Sequence, residues 1–357
     1  MDKYLLIGNG ESPHILKWTK ELVKYFEVYL LSSQNVLPRI RELIPEERII
    51  TFNMNIAESG GNFSFIKMVI PLIKIIRKVA PVYVNAHYVT SHGFVAALAC
   101  SFAAPKLILI QTAWGSDILT TPKRNIFYQW LTRYALRKAS LLTADGKLVA
   151  ETMKEFASTE TMVFPFGLEK LPEVAVEEKD PDLYYSNRTL NANSNIDRVI
   201  RFFSGVIKRN PGARLVIAND GPLKNKLISL CRDLGIHHAV EFTGFIPDAS
   251  QDAYYRKAQF YFSVLSSDAL SVSLLEAMAY GCIPIISDLP DNSEWVKDEV
   301  NGIILREDTG LEEITRMGEK SEEAFMLNRR MISEKAIFPK SMHSFYDRLT
   351  ALKAELL

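Results

Sequence analysis

Asp268 and Glu276 are two carboxylates separated by seven residues, set where a short apolar run gives way to turn residues and then to a helix-forming segment. Phe260-Tyr261-Phe262-Ser263-Val264-Leu265 reads as a strand, and Ser266-Ser267-Asp268 breaks it. Ser271 to Tyr280 reads as a helix with Leu274, Leu275, Met278 and Ala279 on one stripe and Glu276 off it. Gly281 stops that helix where a left-handed residue is wanted, and Ile283-Pro284-Ile285-Ile286 follows as a second buried strand. The loop between the C-terminal end of a parallel strand and the next helix is where open α/β sheets bind ligands, because unpaired amides and the helix dipole favour an anion there. Carboxylates in that place are not attracted to a phosphate. Their partners are hydroxyl groups, since a carboxylate accepts two such bonds and charge-assisted bonds are the strong ones. That chemistry describes a sugar; a buried helix carrying an incidental solvated Glu is the plainer alternative.

The same stretch resembles the signature of the retaining glycosyltransferases of family 4, two-domain GT-B enzymes with two acids seven residues apart before an A-x-x-x-G-x-P turn. Here that is Asp268, then Glu276-Ala277-Met278-Ala279-Tyr280-Gly281-Cys282-Ile283-Pro284. Glu294 and Asn301-Gly302 match the run that follows the turn. The resemblance implies that the first acid touches the donor sugar's hydroxyls and the second the ribose of the nucleotide, with Leu270, Ser271 and Val272 beside the donor. The first acid is normally Glu, and Asp268 is one methylene shorter.

With 357 residues the chain is too long for one comfortable core, so two domains of ordinary size are expected. The 42 basic residues balance 42 acidic ones, which gives no sign of a nucleic-acid partner. The balance is uneven along the chain: 20 basic against 14 acidic residues up to Lys170, and 22 against 28 after it. A basic first half suits an acidic surface such as a membrane or a lipid-linked pyrophosphate; domain-to-domain matching would use it equally well. Cys100, Cys231 and Cys282 have no ligand spacing, which fits a reducing compartment and implies no metal. Met1-Asp2-Lys3-Tyr4 runs straight into a strand, and no apolar run reaches the roughly 20 residues a bilayer span needs. The expected address is cytoplasmic, either free or at the inner face of the cell membrane.

In the first half, Tyr4-Leu5-Leu6-Ile7 is a strand, Gly8-Asn9-Gly10 a tight loop, and Ser12-Pro13 opens a helix running to Tyr25. G-x-G-x-x-G is not met because Pro13 stands in the third position, so a dinucleotide fingerprint is set aside. Asn9 and Gly10 stay donor-site candidates with Gly8, and His14 is an acceptor-site candidate against a plain capping role. Asn62 to Ala80 is an apolar helix punctuated by Lys67, Lys74, Arg77 and Lys78, suited either to a membrane interface or to its own sheet. His87 ends the strand Val82 to Ala86, at the sheet's C-terminal edge, and is a second acceptor-site candidate. Gln111-Thr112-Ala113-Trp114-Gly115-Ser116-Asp117 resembles the family's T-x-H-G-S-D loop with Trp114 in place of the histidine. Trp114 offers a flat face to a sugar ring, and Asp117 is expected either to orient or deprotonate an acceptor hydroxyl or to cap a helix. Phe127 to Leu142 is a further aromatic and basic helix, core on one side and solvent or headgroup on the other.

In the second half, Arg188 matches the first of the two cations with which the family clamps the diphosphate, whereas Ser194 stands at the lysine position. Asn219-Asp220-Gly221-Pro222-Leu223 resembles the family's G-D-G-P-L, and the loop carrying Gly244 and Phe245 resembles the place where the base packs. Asp180-Pro181-Asp182 mimics a D-x-D metal site, but it follows a solvated charge run and is discounted.

The resemblance implies an α/β GT-B fold, two Rossmann-like domains with parallel sheets facing a central cleft. Residues 1–167 are expected to form the acceptor-binding domain, 168–338 the nucleotide-sugar-binding domain, and 339–357 a helix crossing back to the first. It implies a retaining hexosyltransferase that needs no cofactor, with Asp268, Glu276, Asp117 and Arg188 as its catalytic group. The donor is a nucleotide sugar, UDP-linked before GDP-linked, and the acceptor a glycan or lipid-linked oligosaccharide in surface polysaccharide synthesis. A nucleotide-sugar-binding scaffold without turnover and a GT-B-shaped sugar-nucleotide epimerase are the alternatives.

Overall fold

The computed structural model describes residues 1–54, 63–103, 106–268 and 270–356. Asn62 and Leu357, the ends of two expected helices, lie outside them, as does Ala269 beside the acid pair. The chain forms two compact units, Met1–Pro165 with Pro339–Leu357, and Phe166–Phe338.

The first unit is built on seven parallel strands: β1 (Lys3–Gly8), β2 (Glu27–Ser32), β3 (Ile49–Thr51), β4 (Tyr83–His87), β5 (Ile108–Thr112), β6 (Leu141–Ala144) and β7 (Thr161–Val163), in the order β3-β2-β1-β4-β5-β6-β7. The second has six: β8 (Asp180–Ser186), β9 (Arg214–Ile217), β10 (Val240–Phe242), β11 (Ala258–Ser263), β12 (Ile283–Ile286) and β13 (Ile303–Ile304), ordered β10-β9-β8-β11-β12-β13. Helices cover both faces of such sheets, so the central strands are enclosed; every residue of β4, β5 and β11 is buried, the polar Asn85, His87 and Gln111 included. The chain is thus an α/β protein of two doubly wound Rossmann-like domains. In each sheet the order reverses beside the first strand, at β1/β4 and at β8/β11. Loops leaving those strands diverge there and open a crevice at their C-terminal ends.

Local chemistry explains the departures from simple periodicity. The apolar segment before β4 begins as a 3₁₀ turn, Phe63–Met68, and becomes α-helical only over Val69–Val79, so that Pro71 falls in the first turn, where no N–H is needed. Pro284 sits inside β12 because β13 pairs only from Ile285 onward. Gly281 ends the Val272–Ala279 helix at φ 76°, and a Cβ there would lie 2.0 Å from the Phe325 ring.

The C-terminal helix, Phe338–Leu356, belongs to the first unit from Pro339 onward. Phe345 and Leu349 are fully buried, the Phe345 ring meets Trp18 edge-on at 5.5 Å, and Tyr83 Oη donates to the Leu349 carbonyl at 3.2 Å. Lys353 pairs with Asp2, and Arg348 with Glu160. Asp180 and Asp182, the D-x-D look-alike, open β8: Asp180 pairs with Arg214, and Asp182 accepts from Asn210.

Candidate active site

In the second unit, Arg188 comes from the loop after β8, Asp268 from the loop after β11, and Glu276 from the Val272–Ala279 helix. The turn between the two acids brings all three to one crevice. Arg188 Nη2 donates to Asp268 Oδ2 at 2.9 Å, while Nη1 donates to Ser271 Oγ at 2.8 Å and Ser273 Oγ at 3.1 Å. Ser271 is also the N-cap, accepting from Leu274 N–H. A guanidinium is therefore held rigidly at a helix N-terminus, where the first amides add positive potential of their own. A pocket of about 450 Å³ opens over it, lined by Arg188, Glu276, Val272, Ser273, Gln251 and four asparagines, Asn187, Asn191, Asn193 and Asn219.

Glu276 is braced from below. Its Oε2 accepts from Tyr255 Oη at 3.1 Å, and the same hydroxyl accepts from Asn187 Nδ2 at 2.8 Å. Asn187 Oδ1 in turn accepts from Tyr261 Oη at 2.8 Å, and its amide also donates to Gln251. Burial first, then the neighbouring Tyr261 and Glu276, hold the Tyr255 phenol far above its usual range, so it stays a neutral donor to the carboxylate. Tyr255→Phe is expected to raise the donor KM roughly fivefold with little change in kcat, and to cost about 1–2 kcal/mol of stability, the scale of one buried hydrogen bond. Steady-state kinetics beside a urea melt checks both.

The asparagine loop was not foreseen from the sequence. Asn193 exchanges two hydrogen bonds with the Ser267 backbone, and Asn195, at φ 45°, donates to the Val264 carbonyl and to Ser266 Oγ. These amides clamp the loop after β8 to the loop after β11. The available signal was the run Asn187, Asn191, Asn193, Asn195 between a strand and a helix. Ser194, at the expected lysine position, is 3% exposed and bonded to Asn191, so it adds no charge to the pocket. Leu270 is buried in the apolar cluster with Leu274 and Trp295. Gly244, at φ 74°, and the exposed Phe245 follow β10 and are not among the residues lining the pocket. Asn301 is fully buried, donating to the Trp295 carbonyl and Asn328, which makes it a loop tie.

In the first unit, Gly8-Asn9-Gly10 leaves β1. Gly10 N–H donates to Ser32 Oγ at 2.8 Å, and a Cβ on Gly10 would lie 2.5 Å from Val36, so close chain approach requires the glycine. Asn9 Oδ1 accepts from Glu11 N–H. Trp114, from the loop after β5, donates its indole N–H to His87 Nδ1 at 3.2 Å and lies 4.3 Å, ring to ring, from the half-buried His14. His87 is fully buried beneath Trp114, with Trp18 edge-on at 4.8 Å. Asp117 is 3% exposed; its two oxygens accept from Trp114 N–H at 2.9 Å and Val89 N–H at 2.8 Å. Burial raises its pKa to about 6 even though both N–H bonds act to lower it. The expectation that His87 and Asp117 face an acceptor hydroxyl therefore needs correcting: strand-end position put them at the sheet edge, but neighbouring rings and amides cover them. They hold the loop that displays Trp114, and Trp114 and His14 keep the accessible surface.

Three histidines in this unit are held neutral by burial: His14 and His92 near a pKa of about 4, and His87 well below its ordinary value. A folded-state pKa below the unfolded one gives stability that is complete above pH ~6.5 and is lost as pH falls toward the folded value. Asp117 acts in the opposite sense, since its raised pKa favours the fold as pH falls through ~6, but it is one group against three. Unit stability is expected to drop between pH 7 and pH 5, by about 2 kcal/mol for His92 alone. Urea unfolding at the two values checks the sign, and His92→Gln should flatten the difference.

Residues 168–330 match the family profile "Glycosyl transferases group 1", and residues 3–146 match "Glycosyl transferase 4-like". The chain belongs to the group 1 glycosyltransferases. The chain is 25% identical over 193 residues to the alpha-monoglucosyldiacylglycerol synthase of Streptococcus pneumoniae, a match covering 49% of the chain and 44% of that relative. It is 24% identical over 198 residues to the GDP-mannose:cellobiosyl-diphosphopolyprenol alpha-mannosyltransferase of Xanthomonas oryzae pv. oryzae, covering 52% of the chain and 50% of the relative. The chain thus spans half or less of the length of these curated relatives. Among solved structures, HepE of Anabaena in complex with UDP superposes with a TM-score of 0.77 at 14% identity, covering 98% of this chain and all of that one. That likeness is one of fold, the GT-B arrangement of two Rossmann-like domains.

Proposed function

We propose that this group 1 glycosyltransferase moves a hexose from a nucleoside-diphosphate sugar, UDP-linked before GDP-linked, to a glycan or lipid-carried acceptor with retention of anomeric configuration. The observation that carries the reading is Arg188, fixed by Asp268, Ser271 and Ser273 at the N-terminus of the helix that bears Glu276. The donor's diphosphate lies against that guanidinium and the helix amides. As the C1–O bond to the β-phosphate breaks, charge builds on the leaving phosphate where a preorganised cation stabilises it. Glu276, oriented by Tyr255, accepts from the ribose hydroxyls, and Asp268 from the sugar's. The acceptor oxygen bonds to C1 on the face from which the phosphate leaves and passes its proton to that phosphate, so configuration is retained.

The Streptococcus pneumoniae and Xanthomonas relatives are named for a diacylglycerol lipid and a diphosphopolyprenol. They support a lipid-carried acceptor, worked on at an anionic membrane face. A scaffold that binds the donor without turnover is the second reading; the buried Ser194 at the expected lysine position favours it. The test is the anomeric configuration of the product by proton NMR, from an α-linked donor and a lipid-carried acceptor. An α-linked product is expected. A β-linked product would overturn retention, and donor binding without any product would move the reading to the scaffold.

A further inference from the structure

The helices Val69–Val79, Phe94–Ala103 and Ile126–Lys138 pack side by side in the first unit, Phe94–Ala103 in the middle. Their outer surface is unusual in two independent ways. The first is apolar exposure: Ile70 is 67% exposed, Ile126 76% and Trp130 53%, with Ile66, Phe102 and Phe127 also open to solvent. Phe127, Trp130 and Tyr134 stack along one helix face at ring separations of 6.3 and 5.7 Å, and Phe94 joins from the middle helix. Phe94, Phe127, Trp130 and Tyr134 thus form one connected aromatic patch, and monomeric proteins seldom leave such a patch uncovered unless something binds it.

The second is charge. From residue 63 to 144 the sequence has ten Lys and Arg and one acidic residue, Asp117, which is buried. Lys67, Lys74, Lys78, Lys123 and Lys138 are exposed around the apolar residues. A second copy of the chain is a poor occupant, since a self-complementary interface would set this cationic face against itself. Long cationic side chains around aromatic rings instead match a bilayer interface, where rings sit at headgroup depth and cations meet anionic lipid.

We infer that this three-helix face seats the protein on an anionic lipid bilayer. The inference rests on the reading of a membrane-carried acceptor and gives that reading a surface. Trp130 and Phe127 enter the headgroup layer, Ile70 and Ile126 extend the apolar contact, and the surrounding lysines set the preference for anionic lipid. High salt weakens the charge contribution and leaves the apolar one.

The test is vesicle flotation of the whole protein with phosphatidylcholine alone and with phosphatidylcholine plus phosphatidylglycerol, beside nucleotide release from a soluble donor. The bound fraction is expected to be at least about tenfold higher on the anionic vesicles and to fall by a similar factor in Trp130→Glu and in Lys74→Glu/Lys78→Glu. Donor turnover without acceptor should be unchanged in these variants, whose residues lie outside the donor pocket. Equal binding to both vesicle types, binding that survives both variants, or a stable dimer broken by Trp130→Glu with no flotation would each overturn the inference. A wild type that floats with anionic vesicles yet releases no nucleotide from any donor would count against the transferase reading instead.

Discussion

Arg188→Ala is expected to lower nucleotide release from the donor by about 10²- to 10³-fold, the range seen when one preorganised stabiliser of developing negative charge is removed. The effect should be large because Arg188 is the one cation lining the pocket among the described residues, and Ser194 is uncharged and buried. The loss should fall mainly on kcat, since the leaving phosphate carries more charge in the transition state than in the bound donor. Arg188→Lys restores charge but not the three-point fork to Asp268, Ser271 and Ser273, so only part of the activity should return. Single-turnover kinetics of both variants checks the claim, and equal losses in Ala and Lys would show that geometry outweighs charge.

Glu276→Gln is expected to lower kcat/KM by about 10²-fold, chiefly through donor affinity, because two charge-assisted bonds of about 1.5–3 kcal/mol each become neutral ones. Tyr255 Oη can still donate to the amide oxygen, so the loop should keep its shape and the melting temperature should change little. Titration with UDP or GDP separates this from a folding effect. A variant that bound nucleotide as the wild type does would remove Glu276 from the ribose.

The two sheets were legible because parallel strands buried on both faces leave short apolar runs such as Tyr4–Ile7 and Ile283–Ile286, bounded by turn residues such as Gly8 and Gly281. Asp268, Glu276 and Gly281 were legible for a similar reason: they belong to one continuous strand-loop-helix-turn stretch. What the sequence hid depends on partners far along the chain. Asn193 is 74 residues from the Ser267 it clamps, and Arg188 is 80 from Asp268. A local reading saw Ser194 as a missing charge, but not the amide clamp around it. His87 failed differently. Its place at the end of β4 is correct, yet depth depends on Trp18 and Trp114 closing over it, and those come from the helix Pro13–Leu22 and from the loop after β5.

The measurement that bears most directly on the donor site is nucleotide release from a panel of UDP-, GDP-, ADP- and dTDP-sugars by the wild type and Glu276→Ala in parallel. Slow release from one donor, abolished in the variant, is the expected result and would also name the base. Release that is unaffected by Glu276→Ala, or a wild type that neither binds nor turns over any donor, would contradict the assignment of this pocket.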